Sequence, residues 1–272
     1  MNSSIESEDV PAVETFGLVR RFGDFTAVDG VNLRVGRGQF FGFLGPNGAG
    51  KSTTIKMLTG LLEPTAGGVR VLGRDLAGEP LEVKRRIGVV PEDLNLFERL
   101  TGAEMLTFTG RMYGLTREET TERGRELLAL MELDGEPKKL VVEYSHGMKK
   151  KLSLACALIH RPEMLFLDEP FEGVDALASR TLKDLLLKLT ARGITVFLTS
   201  HVLEIVERLC THIAIITRGR LVVEGALDEL RRGIAVGEGE GAGGDPVSLE
   251  DYFIRVIGGA RPAGEDVLPW LT

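Results

Sequence analysis

From Gln39 onward the chain alternates between short apolar runs and longer stretches whose apolar residues return every three or four positions. The runs Phe40–Leu44, Ile87–Val90, Met164–Leu167, Thr195–Thr199 and Ile213–Thr217 are predicted to be strands buried on both faces. Helices are predicted over Ser52–Leu62, Gly102–Tyr113, Arg117–Met131, Gly147–Ile159, Ala178–Leu189 and His201–Arg208. Such alternation makes an α/β fold, a parallel sheet covered by helices on both sides. Ahead of it, Phe16 to Val35 alternates apolar and polar residues around a turn near Gly23 and Asp24, the pattern of antiparallel strands. Between Leu94 and Leu158 helices follow one another with no strand, so residues from about 94 to 158 are expected to form a helical lobe inserted into the sheet domain.

Residues 1–13 look like a flexible acidic tail, and 14–232 form the main domain. A glycine-rich linker is expected over 233–247. Beyond it, over 248–272, Ser248-Leu249-Glu250-Asp251 can open a short helix with Leu249, Phe253 and Ile257 on one face, stopped by Gly258-Gly259.

The chain has 272 residues, 43% hydrophobic and 27% charged, enough for a substantial core. Its net charge of −7 argues against broad nucleic-acid binding, which needs a basic surface. Cys156 and Cys210 each sit in an apolar stretch and read as buried free thiols. No run reaches the ~18 apolar residues of a membrane span, and the acidic start does not suit a secretory signal. The expected place is the cytoplasm, with any membrane part supplied by another polypeptide.

The octapeptide Gly45-Pro46-Asn47-Gly48-Ala49-Gly50-Lys51-Ser52, followed by Thr53, joins a predicted strand to a predicted helix. It fits the G-x-x-x-x-G-K-[ST] loop, whose backbone N–H groups cradle nucleotide phosphates. Its glycines let the backbone close on phosphate, and the helix start adds unpaired N–H groups. In such loops the lysine, here Lys51, reaches the β- and γ-phosphates, and the Ser52 hydroxyl sits on Mg²⁺. Met164 to Leu167 ends in Asp168 and Glu169. Ligands of open α/β sheets bind at the carboxyl ends of strands, which brings both carboxylates to the same edge. Asp168 can hold the metal, and Glu169 can orient or deprotonate water. The strand Thr195–Thr199 brings His201 there by the same rule.

Tyr144-Ser145-His146-Gly147-Met148 then opens the helix leading into the carboxylate strand. From here the chain resembles the ATP-binding subunits of ABC transporters, over roughly Phe16 to Gly233. The resemblance implies a P-loop core with an antiparallel β subdomain and a helical subdomain. It gives Phe22 the place of the adenine-stacking aromatic, with Val28 beside it. Gly45 to Ser52 match Walker A, Asp168 and Glu169 Walker B, Asp175 the D-loop and His201 the switch histidine. Glu92 stands at the Q-loop position, where glutamine is usual, and can still bind Mg²⁺. Ser145 and Gly147 match the signature, with His146 and Met148 in place of its glycine and glutamine; in the D-loop, Phe171 and Glu172 replace small polar residues.

A second helix start suited to phosphate makes sense if it serves a partner's ATP. The resemblance therefore implies a head-to-tail dimer, with a second copy of this chain as the expected partner, and a separate membrane permease reached through Leu94, Leu96, Phe97 and Leu100. Short YSHGM-type signatures and the Ser-Leu-Glu-Asp-Tyr-Phe segment are similar to those of bacterial exporters, in which ATPase and permease are separate chains. The alternatives are a non-transport ABC ATPase acting on ribosomes or DNA, and a nucleotide-dependent clamp without useful hydrolysis. A single domain without a heptad insertion speaks against the first, and Glu169 and His201 against the second. No Asn-Lys-x-Asp guanine-reading motif is present.

Overall fold

Residues 10–236 and Phe253 are described by the structure, a computed structural model, with 232–236 as backbone only. The chain begins with β1 (Val13–Phe22), β2 (Phe25–Val31), β3 (Arg34–Val35) and β4 (Phe40–Leu44). After α1 (Lys51–Leu58) come β5 (Ala66–Val71), β6 (Arg74–Asp75), α2 (Pro80–Lys84) and β7 (Ile87–Val90). The lobe contributes α3 (Gly102–Met112), α4 (Arg117–Leu130) and α5 (His146–Leu158). The remainder alternates: β8 (Met164–Asp168), α6 (Ala176–Ala191), β9 (Thr195–Ser200), α7 (Leu203–Leu209), β10 (His212–Thr217), β11 (Arg220–Ala226) and α8 (Leu227–Val236).

The main sheet has strand order β11-β10-β4-β9-β8-β7, parallel from β10 to β7, with β11 antiparallel at one edge. All five residues of β4 are buried, as an apolar run without alternation requires. Phe40 and Leu44 face the helical layer, while Phe41 and Phe43 face the cluster shared with α1 and the small sheet. Three phenylalanines, Phe41, Phe43 and Phe166, surround the Phe197 ring at centroid distances of 5.5, 5.5 and 5.6 Å. Each such ring contributes about 1.5–3 kcal/mol by leaving water. The strand that carries the glycine loop is therefore held against an aromatic cluster inside the core.

The small sheet runs β2-β1-β5-β6, with β3 pairing β1. Its β1–β2 hairpin turns at Gly23 and Asp24, where the alternation broke, with Phe22 opposite Phe25. Several boundaries differ from expectation. The helix predicted to run to Leu62 ends at Leu58, and Gly60 follows at φ 67°, outside helical space. The helix predicted from His201 starts at Leu203, because the Ser200 hydroxyl accepts the Val202 N–H at 3.0 Å and holds a turn. Helix α8 continues to Val236, into the segment expected to be linker. The strands β5 and β11 were not anticipated. The helix proposed after Ser248 lies outside the described residues, save Phe253, which packs on the core. Cys156 and Cys210 are buried and unpaired, and burial lifts the Cys156 thiol to about 11.

The lobe's α3 and α4 each open with a capping box, Thr101 with Glu104 and Thr116 with Glu119. Leu94, Leu96 and Leu100 pack partly buried against the core, whereas Phe97 is exposed and meets Phe108 edge-on at 5.0 Å. Among the described residues no helix is long and apolar enough to cross a membrane.

Candidate active site

Strand β4 delivers the chain to Gly45, where backbone crowding leaves no room for a side chain. A Cβ there would lie 2.4 Å from the Ile216 carbonyl oxygen. Gly50 ends the loop at φ 108°, and a Cβ on it would meet the Ala27 oxygen at 2.5 Å. Gly45 is thus demanded by packing, and Gly50 by packing and by its left-handed backbone. Helix α1 starts at once with Lys51, and no side chain caps it. Its first amides are left for an external acceptor, and the helix dipole favours an anion there.

Lys51 is only 6% exposed. Its ammonium donates to the Gly45 carbonyl at 2.8 Å and the Pro46 carbonyl at 3.4 Å, and lies 3.3 Å from Glu169 Oε1. The Ser52 hydroxyl is 3.3 Å from both Glu92 Oε2 and Asp168 Oδ1. One hydroxyl proton can satisfy only one of those carboxylates at a time. Two carboxylates converging on a hydroxyl form an all-oxygen set suited to a hard cation that completes its shell with water and phosphate. Among the described residues no cluster of three or more His, Cys, Asp or Glu forms a metal site by itself. The cradle therefore fits a cation that arrives with a phosphate rather than one caged by protein.

Strand β8 ends at Asp168, and Glu169 is the first residue past it. Thr199, the neighbour of Asp168 across the β8–β9 ladder, donates to Asp168 Oδ1 at 2.6 Å and accepts the Glu169 N–H at 3.0 Å. Glu169 takes φ 46°, a left-handed conformation that costs a non-glycine residue roughly 1–2 kcal/mol. Its buried Oε1 lies 3.1 Å from His201 Nδ1 and 3.3 Å from Lys51, yet neither contact has hydrogen-bond alignment. A buried carboxylate oxygen with an unfilled acceptor direction is placed to take a proton or a water.

A cavity of about 340 Å³ lies over the loop. Asn47, Gly48, Gly50, Lys51, Ser52, Thr53, Glu92 and Glu169 line it, so both halves of the motif set meet there. Phe25, Ala27 and Glu172 complete its wall, three positions that sequence reasoning did not assign to it. Phe22 is exposed nearby with the Arg20 guanidinium 4.5 Å over its ring, and Val28 is buried behind Gly50. Ala49 is also buried, its carbonyl accepting the Gly219 N–H at 2.9 Å. Ser145 and Gly147 do not line this cavity. Ser145 caps α5 by accepting the Met148 N–H at 3.2 Å, and Gly147 packs against Ala178 and Asp175. The His146 ring lies 3.2 Å from the Glu172 carbonyl oxygen.

Thr199 was within reach of the strand-end rule, since it stands one residue short of the edge. Lys150 was not: its ammonium reaches the Glu169 carbonyl at 3.1 Å and the Glu92 carbonyl at 3.5 Å from inside a run of three lysines that reads as a solvated face.

Loop, uncapped helix and strand-end carboxylates on a parallel sheet define a P-loop nucleoside triphosphatase. The family model for the ABC transporter matches residues 28–172. DrrA, the daunorubicin/doxorubicin resistance ATP-binding protein of Streptomyces peucetius, is 40% identical over 84% of this chain and 69% of its own length. The Nod factor export ATP-binding protein I of Burkholderia lata is 38% identical over 97% of this chain and 87% of its own. A solved ATP-binding subunit of an ABC transporter superimposes with TM-score 0.80 at 32% identity, covering 90% of this chain and 99% of that one. A dimeric ATP-binding cassette in a post-hydrolysis state, bound to ADP and Pi, gives TM-score 0.73 at 26% identity over 79% of this chain and 98% of that one. The chain belongs to the ABC transporter family, as an ATP-binding and ATP-hydrolysing cassette.

Proposed function

We propose that this cassette pairs with a second copy of itself and drives export through a separate membrane permease from the cytoplasmic face. The observation that carries the reading is the convergence of Ser52, Glu92, Asp168, Glu169 and His201 around one loop-bound cavity. The loop from Gly45 to Thr53 and the α1 amides bind the phosphates of ATP, with Lys51 leaving its carbonyl contacts for the β- and γ-phosphates. Ser52, Asp168 and Glu92 would hold Mg²⁺, which neutralises charge on the phosphoryl oxygens when bound. Glu169 orients a water and accepts its proton as the oxygen attacks the γ-phosphorus, while ADP departs. His201, in contact with Glu169, steadies that carboxylate and hydrogen-bonds the γ-phosphate. Phe22 stacks on adenine, with Val28 behind the loop.

Ser145 and Gly147, at the signature end of α5, do not line the chain's own cavity, which supports a role against the nucleotide of a second cassette. The exposed Phe97 and Phe108 pair offers an apolar place for a permease segment, together with Leu94, Leu96 and Leu100. Export is supported by the names of the relatives, among them resistance and Nod factor export proteins. None of the names of the relatives given above mentions ribosomes or DNA.

The test is Glu169→Gln. Phosphate release is expected to fall by roughly 10²–10⁴-fold with ATP binding intact, and the variant should pair when given ATP. Hydrolysis at the parent rate would remove Glu169 from the mechanism, and recovery of the parent chain on ribosomes instead of with a membrane protein would reverse the choice of function.

A further inference from the structure

Three consecutive lysines on α5 reach three different elements. Lys149 pairs with Glu98 at 3.0 Å in the stretch before α3, and Lys151 pairs with Glu132 at 3.0 Å just past α4. Lys150 is different in kind. It is 2% exposed, and its hydrogen-bonding acceptors are backbone carbonyls, of Glu169 at 3.1 Å and of Glu92 at 3.5 Å. An ammonium that deep is costly to desolvate, and burial lowers its affinity for the proton while the surrounding Glu172, Glu92, Asp168 and Glu169 raise it. A lysine kept there against that cost is holding something in place.

We propose that Lys150 is a positioning residue for the hydrolytic carboxylate: it fixes the backbone of Glu169 and ties it to the Glu92 segment, so that the lobe and the reacting edge move as one unit. Glu169 has its N–H held by Thr199 and its carbonyl held by Lys150, each from a different element. With those anchors, and with the Glu172 N–H on the same carbonyl at 3.2 Å, the residue stays at φ 46°, and that conformation sends its carboxylate toward Lys51 and His201. Without the ammonium, the Glu169 carbonyl keeps the Glu172 N–H at 3.2 Å but loses its buried charged donor, the only one of the three restraints on this turn that reaches it from α5. Glu92 lies on the loop that precedes the exposed Phe97, so the same ammonium links the surface proposed for the permease to the carboxylate that acts on water.

This inference rests on the assignment of Glu169 as the group acting on water, and the experiment separates the two. The full chain with Lys150→Met is compared with the parent, with Glu169→Gln and with Lys150→Arg. Lys150→Met is expected to lower kcat about 10–100-fold, as loss of an outer-shell partner does, with KM for ATP within about threefold. Lys150→Arg, which keeps the charge and the donors, should recover most of the loss. In the Glu169→Gln background, ATP-driven pairing should survive Lys150→Met, since binding is untouched. Should the methionine chain not fold, Lys150→Gln carries the same comparison. A folded chain lacking the ammonium that keeps the parent kcat, or one in which KM rises as much as kcat falls, overturns the proposal. If Glu169→Gln is inert while Lys150→Met is fully active, only the role of Lys150 fails; if Glu169→Gln itself turns over at the parent rate, the parent reading fails instead.

Discussion

Helices α1 and α5 begin in contrasting ways, and the contrast separates a helix start that waits for a ligand from one that has closed on itself. Helix α1 opens on Gly50 at φ 108° with no side-chain cap, over a cavity that its own residues line. Helix α5 opens on Ser145, whose hydroxyl already accepts the Met148 amide. Thr101, Thr116 and Asp175 close α3, α4 and α6 in the same way. A cap satisfies one of the four orphan amides of a helix start and contributes about 1 kcal/mol. Omitting it at α1 sacrifices that stabilisation and keeps the amides free for phosphate. At α5 the cap leaves further amides free, which the proposed pairing would turn toward a second cassette's nucleotide, but the helix does not need one to be stable.

The largest expected effect tests the α1 side. Lys51→Ala should reduce phosphate release by roughly 10²–10³-fold and weaken ATP binding, by analogy with loss of a group that stabilises developing charge. Retention of half the parent rate would mean that α1 does not hold the reacting phosphates. Next comes Ser145→Ala. Loss of the cap should cost about 1 kcal/mol in thermal unfolding. If α5 also serves a partner's nucleotide, hydrolysis should drop about tenfold at unchanged ATP binding to the isolated chain. A lowered Tm with normal turnover would reduce Ser145 to a cap and erase half of the comparison. The smallest effect belongs to the base end: Phe22→Ala should raise KM for ATP about fivefold, the lower range for loss of one base–aromatic stack. Should Phe25→Ala raise it instead, the ring on the cavity wall is the adenine platform, and Phe22 belongs to its pairing with Arg20.

What could be read from the chain divides along the same line. The α1 side was legible because its parts are contiguous: five buried residues, a glycine loop and a helix start, each forced by local sterics. Asp168, Glu169 and His201 were legible because a parallel sheet sends every strand end to one edge, so topology does the placing. Phe25 was missed because nothing local marks it as a wall of the cavity, whereas Thr199 lay within the strand-end rule but acts through a cross-strand neighbour, Asp168. Lys150 was hidden by its neighbours, since three lysines in a row suggest a wet surface while α5 is wrapped on most sides. Strand β5 begins Ala66-Gly67-Gly68, which reads as a turn, yet Gly67 sits where a Cβ would lie 2.4 Å from the Gly17 carbonyl. Close approach to β1 selects Gly67, and only the folded chain shows the neighbour. Helix α7 starts later than its apolar spacing suggests because Ser200 diverts the chain, and that diversion leaves His201 on a turn beside Glu169.

The position of β4 has a consequence for how the molecule gives way. It lies between β10 and β9, with Phe41 stacked against Phe197 and its partners on the far side. Local opening begins where few apolar contacts and few protected backbone bonds resist it, and neither shortage exists here. The glycine loop grows directly from this strand and is fastened again by Gly219 through the Ala49 carbonyl. Thermal agitation therefore frays the rim of the protein long before it disturbs the cup that receives the triphosphate, and a chain already partly loosened elsewhere would still keep that cup in shape.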